Sequence, residues 1–316
     1  MIIYLKPLIK MIVKNDSIDG ILNINKPLDV TSMNVVRIVK SFTKVKKVGH
    51  AGTLDPLATG VLPICLGQST RVMEDILNSQ KVYRVILHLG ISTNTYDLEG
   101  EVLNTKDLND INYDSFKNII SKFEGDIEQI PPMYSALKVK GERLYKLARK
   151  GINLNLKPRK VKVYSLKILN WSSPFLTLDI ACGKGFYVRS FANDFGELLG
   201  CGAHINNLSR IRNGIFSIES SVDLEDFKDR AQNGDWMNLI YSIDTVLDKL
   251  PKIIVDPKIE KIIKNGGVIP DDIYEINVPD KSKCKVYNSE GNFIGIIIFE
   301  KSLQRWKCYK NFNLAI

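Results

Sequence analysis

Histidine is scarce in this chain: three residues, at 50, 88 and 204, are spaced too widely to make a metal site legible. The five cysteines, at 65, 182, 201, 284 and 308, are odd in number, scattered and never spaced as C-x-x-C. That disfavours a disulfide framework and a zinc cluster alike. Long apolar runs are missing as well, and the run at 293–299 is far too short to span a bilayer. The opening stretch interrupts its apolar residues with Lys6, Lys10 and Lys14, the wrong pattern for a signal peptide, and Met11 is an alternative start. These absences point to a reducing, cytoplasmic setting without membrane attachment. There is no internal repeat and no low-complexity tract, and a chain 44% hydrophobic and 25% charged belongs with folded proteins, not disordered ones. Its 316 residues leave room for one large domain and a smaller one.

What is present in excess is positive charge, and it is concentrated. The net charge is +9. Residues 138–167 hold eleven Lys or Arg against one acid, Glu142, which makes +10 there and leaves about −1 for all the other residues. Such a footprint suits a phosphate backbone, although a solvated basic face with no partner has the same composition.

Residues 21–25 read as a short strand ended by Lys26-Pro27, after which Thr31 or Ser32 caps a helix carrying Val35, Val36, Val39 and Phe42 at helical spacing. A basic turn at 44–47 leads into a glycine-rich stretch, 49–60. Strands at 61–66 and 82–89 flank a helix over 71–77, and a helix over 114–124 ends at Gly125. Another helix, over 142–150, is closed by Gly151 and sets 143, 146 and 150 on one face. Strands at 161–169 and 176–181 precede a helix from about 187 to 199, with Gly200 as its stop. From about 250 the pattern changes to short β-rich runs broken by Gly266-Gly267, Pro270 and Gly291-Asn292. The expectation is an α+β fold. It has an N-terminal extension (1–19), a large domain (20–249) whose sheet topology the pattern does not give, and a small β-rich domain (250–316).

The stretch GHAGTLDPLATG (49–60) places three glycines, one acid and one proline between a basic turn and a buried strand. A phosphate loop needs Lys-Ser/Thr after its last glycine, where Val61-Leu62 stand, and the G-x-G-x-x-G fingerprint is absent. Proline at 56 pushes Asp55 into an extended or turn conformation. A carboxylate presented this way serves as nucleophile, general base or metal ligand. A structural loop with an Asx-turn at Asp55 accounts for the same residues, so the loop alone leaves these readings open.

The longer strings narrow them. GHAGTLDPLATGVLPICLG (49–67), NINKP (23–27), KVYRV (81–85), IPPMYSALKVKGERLYKLARKG (130–151) and CGKGFYVRSFANDFGELLGCGAHINNLSRIR (182–212) stand in one order along the chain. Together they closely resemble the TruB pseudouridine synthase family, whose archaeal and eukaryotic relatives work in box H/ACA particles. The resemblance implies a mixed-sheet pseudouridine synthase domain that isomerises one uridine in the T-loop of tRNA by base flipping, without cofactor or metal. It makes Asp55 the nucleophile, with attack on ribose C1′, attack on C6 of the base and a glycal route all left open. Tyr83 matches the tyrosine that lies against the base and handles the C5 proton, and Arg189 the arginine that pairs with the aspartate. An arginine fork suits such a carboxylate better than a lysine.

The same resemblance sets His50 in the gap left by the extruded base, Lys26 and Tyr187 near the cleft, and Leu208 in the wall of the uracil pocket. It makes residues 130–167 a mobile element that closes over the RNA, with Arg143, Lys146, Arg149 and Lys150 as phosphate contacts. It also makes 250–316 a PUA-like RNA-binding domain, carried mainly by GNFIGIIIF, while the ending RWKCYKNFNLAI matches weakly. The implied partner is the tRNA T-arm, with no obligate protein partner and a monomeric enzyme. One rival is an RNA-binding or RNA-folding protein that keeps the scaffold without chemistry, and another is a guide-dependent version of the same enzyme.

Overall fold

The computed structural model describes residues 18–135, 137–139, 141–152, 154–269 and 278–314. Most of the expected N-terminal extension, Met11 included, and Pro270 lie outside the described residues.

β1 (Gly20–Lys26) is buried along nearly its whole length because it lies inside a sheet, between neighbours on both sides. The Thr31 hydroxyl then accepts from the Asn34 N–H and starts α1 (Ser32–Thr43), whose Val35, Val36 and Val39 turn to the core. β2 (Val48–His50) and β3 (Ala58–Leu66) flank the glycine-rich stretch, and α2 (Met73–Asn78) leads to β4 (Lys81–Leu89). A hairpin of β5 (Ile91–Thr93) and β6 (Val102–Thr105) precedes α3 (Tyr113–Ile120) and β7 (Gly125–Gln129).

The basic segment departs from expectation. It opens with a small hairpin, β8 (Lys138–Val139) against β9 (Glu142–Arg143), and only then becomes helix, α4 (Leu144–Arg149). Arg143 stands before the helix in extended conformation and Lys150 caps its end, so of 143, 146 and 150 only Lys146 lies within it. Gly141, at φ +90°, permits the hairpin turn, and Gly151, at φ +73°, the exit from α4.

β10 (Arg159–Ser172) and β11 (Phe175–Cys182) form a long hairpin followed by α5 (Val188–Leu199), which stops at Gly200. β12 (Ala203–Asn213), β13 (Phe216–Ser217), β14 (Val222–Asp223), α6 (Leu224–Gln232) and β15 (Ile240–Tyr241) complete the large unit. Its mixed sheet runs β14-β1-β3-β12-β4-β11-β10-β7. Because β12 is parallel to β3 and antiparallel to β4, Leu208 pairs with Ala58 on one side and Val85 on the other. Apolar sides of α1, α3, α5 and α6 share one core with this sheet. Beneath α5 the rings of Phe123, Phe191 and Phe195 lie 5.0 to 5.8 Å apart between centroids. Each buried ring stabilises by about 1.5–3 kcal/mol, which makes the first turn of α5 a firm mount.

β16 (Lys252–Ile254), β17 (Lys283–Tyr287), β18 (Phe293–Glu300) and β19 (Arg305–Asn311) form a separate four-stranded sheet in that order, with α7 (Pro257–Lys264) packed on it. Tyr287, Phe293, Ile296 and Phe312 join Ile21, Val61, Cys65 and Ile243 in a second core, so the small sheet buttresses strands that carry the glycine-rich loop. The fold is the α+β class expected, a mixed sheet with a small C-terminal β domain. No described helix is long and apolar enough to cross a membrane.

Candidate active site

The loop from β2 to β3 is held by its backbone. Ala51 N–H donates to the Pro63 carbonyl (2.9 Å), and Asp29 N–H to the Pro56 carbonyl (3.0 Å). Ser32 Oγ, buried in α1, donates to the Leu54 carbonyl (2.9 Å) and accepts from the Leu54 N–H (2.8 Å), as one hydroxyl is able to do. Asn213 Nδ2 donates to the Ala51 carbonyl (3.0 Å), and Arg210 Nη2 to the Gly52 carbonyl (3.0 Å). Gly52 itself sits at φ +105°, with room for a Cβ only 3.3 Å from Arg210 Nη1. Ser32→Ala leaves both buried polar groups of Leu54 without that partner. We expect the unfolding free energy to fall by about 1–3 kcal/mol, read from urea titration; an unchanged midpoint means the loop does not depend on this hydroxyl.

Lys26 belongs to the same scaffold. Its wholly buried ammonium donates to the carbonyls of Pro27 (2.7 Å), Val30 (2.7 Å) and Pro56 (3.1 Å). Burial pulls its pKa down to about 8, against the opposing pull of Asp29 and Asp55. Lys26 thus grips the Asp55-Pro56 turn from behind, with its charge directed at carbonyls.

With the backbone secured elsewhere, the Asp55 side chain is half exposed and turned to Arg189 in the first turn of α5. Arg189 Nη2 lies 2.8 Å from Asp55 Oδ2, while Nη1 lies 3.7 Å from Asp97 Oδ2. The same Nη2 donates to the Tyr134 carbonyl (2.7 Å), which ties the start of the basic segment to the pair. Arg189 is buried, so its position is fixed and the carboxylate is aimed by it. Asp97 is buried beside it, its Oδ1 taking hydrogen bonds from Thr95 Oγ1 (2.5 Å) and the Glu99 N–H (3.2 Å). The preceding Tyr96 has φ +66°, uncommon for an aromatic residue.

The remaining residues named from sequence distribute as follows. Tyr83, half-buried on β4, pairs across the ladder with Arg210; burial pushes its phenol up, and the Arg210 charge opposes that. His50 ends β2 with Nδ1 buried and without a partner among the described residues, and burial with the nearby Arg210 cation lowers its pKa. Tyr187 precedes α5, and its backbone N–H and C=O both bond the Gln129 side chain (2.8 and 2.9 Å). Leu208 is buried. Arg143, Lys146, Arg149 and Lys150 are exposed. Lys150 pairs with Glu142 at 3.5 Å, and the Arg149 guanidinium lies 5.8 Å from the Tyr145 ring centroid.

The sequence does not single out Asp97, Arg210 or Asn213, and it offers Ser32 only as an alternative cap of α1. Asp97 lies in STNTYD, which reads locally as a turn. Arg210 and Asn213 stand in a strand where an arginine or asparagine suggests an exposed face, and both are buried. Ser32 adjoins a cap and carries no separate signal.

Comparison with known proteins places this arrangement. The profile described as TruB family pseudouridylate synthase (N terminal domain) matches residues 40–188, and that described as tRNA pseudouridylate synthase B C-terminal domain matches 189–248. The chain is 43% identical over 278 residues to tRNA pseudouridine synthase B of Clostridium tetani, covering 88% of this chain and 94% of that protein. It is 41% identical over 279 residues to the enzyme of the same name from Dehalococcoides mccartyi, covering 88% and 92%. Among solved structures it resembles a chain of a Cbf5–Nop10–Gar1 complex, with TM-score 0.72, 23% identity and coverage of 92% and 84%. A chain of an H/ACA ribonucleoprotein bound to a substrate RNA containing 2′-deoxyuridine gives TM-score 0.72 at 22% identity, with coverage of 94% and 86%. At these identities the structures speak for the fold, and the sequence matches speak for the family. An aspartate held in a preformed loop and gripped by a buried arginine, on a chain matched this widely, belongs to an enzyme of the TruB family of pseudouridylate synthases.

Proposed function

We propose that this enzyme converts one uridine in the T-loop of tRNA to pseudouridine, flipping the nucleotide into the cleft and using Asp55 as nucleophile. The observation that carries the reading is the Asp55–Arg189 pair: a half-exposed carboxylate on a rigid loop, 2.8 Å from a buried guanidinium. The relatives' printed name, tRNA pseudouridine synthase B, supports tRNA as the substrate. Substrate and product are isomers, so no redox equivalent or energy source enters. The N1–C1′ bond breaks, the uracil turns, the C5–C1′ bond forms and the C5 proton leaves. Attack on C1′, attack on C6 and the glycal route all need a carboxylate aimed as Arg189 aims this one. Flipping costs a few kcal/mol of unstacking, less in a loop than in a duplex. A half-buried, neutral His50 is suited to stack in the gap.

In this reading residues 20–249 form the catalytic domain, 250–316 a PUA-like RNA-binding domain and 1–19 an extension. Arg143, Lys146, Arg149 and Lys150 grip phosphates. If about five phosphates are engaged, log K falls against log salt with a slope of roughly −3.5 to −4.5, measured by filter binding; a slope near −1 excludes a backbone grip by this segment. The deciding experiment is tritium release from tRNA labelled at uridine C5, with the purified chain and tRNA alone. Release establishes isomerisation by a stand-alone enzyme. Tight binding without release leaves an RNA-folding role in its place.

A further inference from the structure

Arg210, on β12, is among the largest side chains in the protein to be fully buried. Its guanidinium donates to two backbone carbonyls, Val61 (2.7 Å) and Gly52 (3.0 Å), and forms no ion pair with a carboxylate among the described residues. Removing a cation from water without a counter-ion costs several kcal/mol. A neutral amide holds a loop carbonyl more cheaply, as Asn213, three residues on, does for Ala51. The charge therefore needs another explanation than loop support.

Its surroundings supply one. Arg210 is the ladder partner of Gly60 on one side and of Tyr83 on the other. Gly60, at φ +104°, packs so closely on the Arg210 backbone that a Cβ there would lie 2.3 Å from the Arg210 carbonyl oxygen, which fixes this stretch of β12. Two carbonyls hold the guanidinium against the catalytic loop, and the ladder sets its residue beside the one tyrosine that the proposed chemistry uses. We propose that Arg210 is a positioning residue whose buried charge makes the Tyr83 phenolate attainable, so that Tyr83 accepts the C5 proton. The inference rests on the proposed function, in which Tyr83 faces the base.

The step balances without a co-reactant. The C5–H bond breaks, its electron pair restores the C5–C6 double bond, and the proton passes to the Tyr83 oxygen, which becomes a neutral phenol. N1 takes a proton from solvent. The charged and titratable groups acting on Tyr83 are Arg210 from β12, Cys182 from β11 and Asp55 from the loop. Burial and the two potential anions disfavour the phenolate, and the charge of Arg210, the ladder neighbour, is what opposes them.

Arg210→Gln, which removes the charge, is expected to slow C5 tritium release about tenfold at neutral pH in single turnover, with tRNA affinity kept. Loss of loop support alone predicts slowing too, so rescue decides. A ring-difluorinated tyrosine at position 83, whose phenol ionises more readily, restores most of the lost rate if the charge acts through Tyr83. If the doubly altered enzyme stays as slow as Arg210→Gln, the proposal is overturned. Should Arg210→Gln not fold, Arg210→citrulline keeps the N–H donors and loses only the charge, and a wild-type rate for it equally overturns the idea. Absence of tritium release from the wild type is a different failure, that of the isomerase reading itself.

Discussion

Asp55→Asn is expected to lower C5 tritium release by at least about 10³-fold while tRNA binding stays within about threefold. An amide is nearly isosteric with the carboxylate and still offers an oxygen to Arg189, so the pair's geometry survives while the carboxylate that the proposed reaction uses does not. The fold survives as well. The loop is secured through Leu54, Pro56, Ala51 and Gly52 by Ser32, Lys26, Asn213 and Arg210, and the Asp55 side chain takes no part in that. The unfolding midpoint should therefore hardly change, with an effect on stability within about 0.5 kcal/mol for a partly exposed site. A variant that still releases tritium at more than a tenth of the wild-type rate removes Asp55 from the chemistry.

Replacing Arg189 produces the second large effect, and it differs in kind. Arg189→Ala withdraws the partner of Asp55 at 2.8 Å, the neighbour of buried Asp97 at 3.7 Å and the donor to the Tyr134 carbonyl at once. The rate is expected to fall by about 10²–10³-fold, the usual cost of losing a preorganised electrostatic group. Stability falls by about 1–3 kcal/mol, because a carbonyl and a carboxylate lose their donor in a secluded setting. Arg189→Lys keeps the charge but not the fork, which now spans two carboxylates and a carbonyl, and should recover stability better than rate. Paired measurements of thermal midpoint and single-turnover rate separate the two losses. Equal recovery of both by lysine would show that charge alone matters at this position.

Local structure was legible where one residue sets the backbone. Gly200 and Gly151 end their helices in the left-handed region, and Thr31 caps α1 through its hydroxyl, as composition indicates. The reading failed where the signal is too short or interrupted. Two-residue strands such as β8 and β9 have no period, so nothing in the sequence separates Glu142 and Arg143 from the helix expected over 142–150. β10 runs to Ser172, past the strand expected over 161–169. Irregularities between Val163 and Ser165 and between Ile168 and Asn170 break the alternation that reveals a strand.

The site divides along the same line. By itself the sequence determined the α+β class, the family, and Asp55, Tyr83 and Arg189 as the residues to examine, because these are carried by continuous strings of side chains. Only the tertiary structure decided how the aspartate is held. It brought Asp97 to Arg189, turned Lys26 inward as a clasp on the Pro56 carbonyl, and set Arg210, with no carboxylate partner among the described residues, beside Tyr83. Each of these is a contact between residues far apart in the chain, as between Arg210 and Gly52, 158 positions away. Burial turns such a contact from an incidental one into a binding constraint, since a polar group removed from water must find its partner wherever the fold places it.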